Sequence, residues 1–315
     1  VANQARINGG ALDANGNIYV VGNFKQTATF GDTTLNSQGG DDVFVSKLDG
    51  SGNFIWTVSA GAAGDDRGIG LEVADDGQVY LAGYFRDTVS FGEHSVTSNG
   101  DWDGYVAQLN SLGEFQWAVS MGGTEIDQAR HLAIAPNGSL YVAGRIDGAA
   151  DIGGHPIASA GGEDGFIAQL DSTDGSVTWV QRVGAAGKDR VYGVEVGVDN
   201  SVIAAGYVYS VVDLGPFQIG TEEDLPQAFV VRMNANGTVR WASATQNSDN
   251  ANSSVIGLDL AMDGEENIYV TGRSNYTTDF DPGPGVVLDV TANSNPDYYT
   301  CLLYTSDAAD ERVRV

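Results

Sequence analysis

The chain has 315 residues, with 42 acidic against 15 basic side chains and a formal net charge of −27. Phosphate neutralisation needs clustered Lys and Arg, so nucleic acid is a poor partner. No apolar run approaches the roughly 18 residues of a membrane span, and the single cysteine, Cys301, leaves the chain before it without disulfides, thiol catalysis or cysteine-ligated metals.

Taken in order, residues 1–7 read as the tail of a preceding unit or a frayed start. From about Gly9 the chain offers the turn Asp13-Ala14-Asn15-Gly16-Asn17, a strand at 18–21, the pair Phe30-Gly31, a strand at 43–48, the turn Asp49-Gly50-Ser51-Gly52-Asn53 and a strand at 54–59. A second copy follows with strands at 70–74, 79–85, 104–109 and 115–120 and the pair Phe91-Gly92 in its longer link. The third shows strands at 140–143, 165–170 and 177–180, and the fourth at 202–205, 228–233 and 238–242. Second strands such as Tyr80-Leu81-Ala82 are apolar throughout instead of alternating, as strands buried on both faces are.

Two markers keep the same period. The glycine closing the second strand falls at Gly22, Gly83, Gly144, Gly206 and Gly272, and a tryptophan falls in the fourth strand at Trp56, Trp117, Trp179 and Trp241. An aromatic opens the third strand at Phe44, Tyr105, Phe166, Phe229 and either Tyr298 or Tyr299. Four antiparallel strands per 60-odd residues, covered on both faces by neighbours, describe a β-propeller blade; an open solenoid of hairpins is the competing geometry. The expectation is an all-β protein with blades at about 8–67, 68–129, 130–191, 192–254 and 255–300, four full and the fifth partial, in an incomplete ring.

The run Asp13-Ala14-Asn15-Gly16-Asn17-Ile18-Tyr19-Val20-Val21-Gly22-Asn23-Phe24, then Phe30-Gly31, then Asp42-Val43-Phe44-Val45-Ser46-Lys47-Leu48-Asp49 through Trp56 resembles the bacterial β-propeller repeat family called SBBP. The resemblance covers about residues 8–300, with Gln227 and Ile203 as the main departures in the fourth copy. It implies a secreted or cell-surface bacterial protein, large and multidomain, with no shared catalytic activity. The segment Asp171-Ser172-Thr173-Asp174-Gly175-Ser176-Val177-Thr178-Trp179 is also similar to the tryptophan-docking motif of quinoprotein dehydrogenases and outer-membrane assembly lipoproteins, where the indole locks adjacent blades.

Candidate chemistry is sparse. Asp13, Asp49 and Asp171 sit in turns with too few oxygens for calcium, which needs about six to eight, so turn residues are the first reading and calcium the lesser one; no cofactor is expected. Asp42, Asp103, Asp164 and Asp297 recur before the third strand, either capping turns or forming an acidic ring on a central channel; capping is favoured. His94 and His155 occupy equivalent loops and His131 opens a first strand. There is no Gly-x-Ser-x-Gly elbow. The favoured function is non-catalytic binding of a protein or glycan, for adhesion. The alternatives are part of a quinoprotein-like or glycan-lyase enzyme, or an outer-membrane assembly scaffold. Lastly, Cys301-Leu302-Leu303-Tyr304-Thr305-Ser306-Asp307-Ala308-Ala309-Asp310-Glu311 resembles a translated sequencing adapter, so 301–315 is expected to be a non-native tail that packs poorly or is borrowed as an improvised third strand.

Overall fold

A computed structural model describes residues 5–222, 224–247, 254–275, 277–279, 289–291, 297–303 and 313–314, and among them there is no helix. Ala5–Leu12, Ile18–Phe24, Asp42–Leu48 and Phe54–Ala60 form an antiparallel sheet in that order. The order recurs in Arg67–Val73, Val79–Phe85, Asp103–Leu109 and Phe115–Gly123. It recurs in Gln128–Ile134, Leu140–Ile152, His155–Leu170 and Val177–Val183, and in Arg190–Val196, Val202–Val208, Gln227–Met233 and Val239–Ala244. Last come Ser254–Met262, Ile268–Asn275, Asp297–Leu303 and the two-residue Val313–Arg314.

The apolar core lies between successive sheets. Val21, Val43 and Val45 of the first pack with Leu71, Leu81 and Tyr105 of the second, while Ala82 and Val106 on the second sheet's other face join Leu132 and Val142 of the third. Further clusters join the third to the fourth and the fourth to the fifth. Residues 79–83 and 103–109 are buried without alternation because both faces are covered, which is the propeller-like stacking that apolar second strands imply.

The repeat glycine has a specific cause. It pairs directly with the aromatic of the third strand: Gly22 with Phe44, Gly83 with Tyr105, Gly144 with Phe166, Gly206 with Phe229 and Gly272 with Tyr299. The aromatic lies across it while a first-strand carbonyl approaches from the other side. A Cβ on Gly83 would fall 2.0 Å from the Arg67 oxygen and 2.7 Å from the Tyr105 ring. This pairing also assigns Tyr299 to the repeat position; Tyr298 is exposed.

Several expectations need correction. The first strand begins at Ala5, not near Gly9, because Ala5, Arg6 and Ile7 pair with Phe24, Asn23 and Gly22 ahead of a bulge. The middle link is a hairpin of its own: Thr88–Phe91 pairs with His94–Thr97 around Gly92 at φ 61°, and in the third sheet the equivalent hairpin is continuous with strands two and three. Cys301 lies within the repeat, since Asp297–Leu303 pairs with the second strand through Leu303. Leu302 and Leu303 in turn pair with Arg314 and Val313. Phe280-Asp281 and the segment after it lie outside the described residues.

Aspartate pairs hold the sheet junctions. Asp66, Asp127 and Asp189 each take two backbone amides: Asp127 accepts from Gly123 at 2.6 Å and from Asp147 at 2.9 Å, and its equivalents do likewise. Beside them Asp42, Asp103 and Asp164 accept the amides of Gln38, Asn99 and Ala160, leaving each Oδ1 buried without a partner. Burial, opposed by those amide bonds, lifts Asp42, Asp103, Asp127 and Asp164 to about 6 and Asp66 to about 7. Because these folded values exceed the unfolded 3.8, the native state holds extra protons between about pH 4 and 7, so stability falls as pH rises through that window. The turn carboxylates held below 3.8, such as Asp49 and Asp263, act in the opposite sense only under about pH 4. The expected result is a Tm that declines from pH 5 to pH 8, less steeply in Asp103→Asn; a Tm rising across that range would count against these assignments.

Candidate functional site

Each of the five sheets carries a bulge in its first strand, between Ile7 and Gly9, Gly68 and Gly70, Ala129 and His131, Val191 and Gly193, and Gly257 and Asp259. A bulge inserts one unpaired residue and re-aims its side chain. The inserted residues are Asn8, Ile69, Arg130, Tyr192 and Leu258, and all five line one central cavity of about 350 Å³. Structurally equivalent and chemically unlike, they make the cavity asymmetric although the fold repeats.

The charge of the lining changes along the cavity. At the starts of the first strands an adjoining hollow is lined by Arg6, Lys25, Asp41, Arg67 and Tyr84, sharing Asn8 and Ile69 with the cavity. Toward their ends lie Glu72, Asp75, Asp76 and Glu195. Burial, reinforced by Glu195 for Glu72 and by Asp259 for Glu195, raises both to about 7.

The basic end is built across the third and fourth sheets. The Gln128 Oε1 accepts from Arg130 Nη1 and from Arg145 Nε, both at 3.1 Å, so the two guanidiniums share one neutral acceptor. Glu163 takes Arg145 and Arg190, the latter donating from Nε at 2.8 Å, while Lys188 stands 3.8 Å from its other oxygen. Arg190 also donates to the Tyr192 hydroxyl at 3.1 Å, and Arg130 lies 5.2 Å from the Tyr192 ring centre. Two guanidiniums thus share the Glu163 carboxylate, and the third, Arg130, is tied to them through Gln128. Among the described residues Arg130 has no carboxylate within 4.0 Å. Burial lowers its pKa, and Arg145 and Arg190 push the same way against the two tyrosines nearby. Burial works against Glu163 ionising, yet Arg145 and Arg190 hold it below its ordinary value.

Beside this cluster Arg67 donates to the Tyr84 hydroxyl at 3.3 Å and pairs with Asp41 at 3.4 Å. Trp102 meets Tyr84 edge to face at 4.9 Å and lies under Arg86 at 4.8 Å. His131 is mid-strand in Gln128–Ile134 and not at its opening, because the strand starts ahead of the bulge. It lines the cavity with Nδ1 unpartnered; burial lowers its pKa against the opposing pull of Asp259, 3.8 Å away.

The sequence-expected positions lie elsewhere. Asp42, Asp103 and Asp164 are buried at the junctions and do not line the cavity; the side chain of Asp297 lies outside the described residues. Asp13 and Asp49 accept turn amides at 2.9 Å, and Asp171 accepts from Thr173 at 2.8 Å, around Gly16, Gly52 and Gly175 at positive φ. Among the described residues no three His, Cys, Asp or Glu side chains are grouped to hold a metal ion. Of the tryptophans, Trp117 is buried but Trp56, Trp179 and Trp241 are only half-buried, less than expected. The reason is their place at the outer edge: Trp56, Trp117 and Trp179 donate to Ser111, Ser172 and Ala235 carbonyls in the next sheet's turn, at 3.2, 3.3 and 3.0 Å.

Sequence reading missed the bulge residues, Arg145, Glu163 and the junction aspartates Asp66, Asp127 and Asp189. The last were visible as a third marker with steps of 61 and 62. The cavity set had no such signal, because equivalent positions hold different residues.

No family model matches the chain. It is 31% identical over 205 residues to Regulatory protein FlaEY of Caulobacter vibrioides, a stretch that covers 61% of this chain and 21% of that protein. Among solved structures it is similar to quinohemoprotein alcohol dehydrogenase from Comamonas testosteroni, at 12% identity and TM-score 0.47 over 92% of this chain and 46% of that one. It is also similar to polysaccharide lyase Uly1, at 12% identity and TM-score 0.42 over 99% and 76% of the two chains. The chain thus spans about a fifth of its curated relative, and at these structural scores nothing of the enzymes' chemistry transfers to it.

Proposed function

We propose that the chain is a non-catalytic ligand-binding module of SBBP-type propeller blades, four full and a fifth partial, within a larger secreted or cell-surface bacterial protein. Its ligand is a protein or glycan met in adhesion, and its site is the basic end of the central cavity. One observation carries this reading: in a chain of net charge −27, Arg130 and Tyr192 line that cavity, and Arg145 and Arg190 are joined to them through Gln128, Glu163 and the Tyr192 hydroxyl. Guanidinium forks and aromatic faces are what buried recognition surfaces are enriched in.

The test is a screen of immobilised glycans and surface proteins. Wild type and Val198→Ser, at the opposite end, should bind alike, while Arg67→Gln and Tyr192→Ala should lose binding with their melts unchanged. Binding indifferent to both mouth variants would move the site elsewhere. One observation favours a second reading, an enzyme of the glycan-lyase kind: a cavity histidine whose pKa is lowered by burial, with Nδ1 unpartnered, beside Arg130 and Tyr192. That reading requires unsaturated sugar products from an acidic polysaccharide and their loss in His131→Ala.

A further inference from the structure

We infer that Arg130, Arg145 and Arg190 form a subsite for the carboxylate of a uronic-acid residue within a glycan chain, an inference that rests on the cavity's basic end being the ligand site. An internal carboxylate already shows what the cluster binds: Glu163 is held by two of the three guanidiniums. Arg130 is the unfilled position. It is half-buried, it shares Gln128 with Arg145, and its Nε and Nη2 have no acceptor among the described residues. A planar fork with two parallel N–H groups matches a carboxylate in bidentate fashion better than it matches a neutral hydroxyl.

The flanking groups decide which carboxylate. Tyr192 lines the cavity beside Arg130 and is backed at 5.9 Å by the buried Tyr207, and Tyr84 with Trp102 adds aromatic rings from the second sheet. Flat rings with polar tips beside guanidiniums suit the C–H face of a pyranose that carries its acid on the ring. An acidic peptide would present its carboxylates on flexible stems and gain little from these faces. The net charge of −27 repels a polyanion at long range, so its attraction has to come from guanidiniums at close quarters.

The experiment is calorimetric titration of the chain with tetragalacturonate, its neutral methyl ester, tetraglutamate and sodium sulfate. Tetragalacturonate should bind and weaken with added salt, and the other three should bind at least about tenfold more weakly. Arg130→Gln should weaken tetragalacturonate about 10- to 100-fold, and Arg130→Lys less. Its Tm should be equal or higher, since the substitution removes a partly desolvated cation from like-charged neighbours. Equal binding of the methyl ester, or no effect of Arg130→Gln, overturns the inference. Preferential binding of tetraglutamate or sulfate also overturns it, yet leaves the mouth as the ligand site if Tyr192→Ala still abolishes that binding. A screen hit untouched by any mouth variant defeats both readings.

Discussion

Gly83→Val is expected to cost at least about 3 kcal/mol, because the new side chain has no volume to enter and the obstacle is backbone. Its Cβ would stand 2.0 Å from the Arg67 carbonyl oxygen and 2.7 Å from both the Tyr105 ring and its hydroxyl. Relief requires the first and second strands to part at the bulge, and with them the residues that line the cavity. Gly16→Ala provides the contrast. There φ is 77° and nothing lies within 4 Å of the added Cβ, so only the left-handed backbone penalty of about 1 to 2 kcal/mol applies. Urea melts of the two variants check the distinction; equal losses would mean that the repeat glycine serves backbone conformation and not close approach.

Trp117→Ala is expected to cost about 3 to 5 kcal/mol, the range for deleting a buried aromatic. Its indole stacks over Gly175 in the next sheet's turn, donates to the Ser172 carbonyl at 3.3 Å and meets Tyr80 at 6.2 Å. Removal opens a void between two sheets and frees a turn that the N–H had pinned. Trp56→Ala should cost less, because that indole makes the equivalent contacts, over Gly113 and to Ser111, while half-exposed. Denaturant midpoints measure both. A loss under about 1 kcal/mol for Trp117→Ala would make the residue peripheral and the locking role wrong.

The sequence by itself determined the second, third and fourth strands of each group, the period that sets the groups and the residues that recur in them, but not the extra hairpins in the middle links. These follow from local rules: Asp-x-x-Gly turns close hairpins, β-branched and aromatic runs of strand length occupy buried strands, and Gly22 or Gly83 recurs wherever an aromatic must cross the strand. The repeat also bounded what could be functional, since a position filled alike in every copy serves the sheet. Tertiary structure decided where the copies differ. One extra residue in each first strand turned Asn8, Ile69, Arg130, Tyr192 and Leu258 toward a shared cavity, and no spacing announces a bulge because it breaks the strand's period of two by one residue. The meeting of Arg130, Arg145 and Arg190 around Gln128 and Glu163 joins residues up to 62 apart on two sheets. Their proximity comes from stacking sheet on sheet, a contact set by the whole core and by no local stretch of chain.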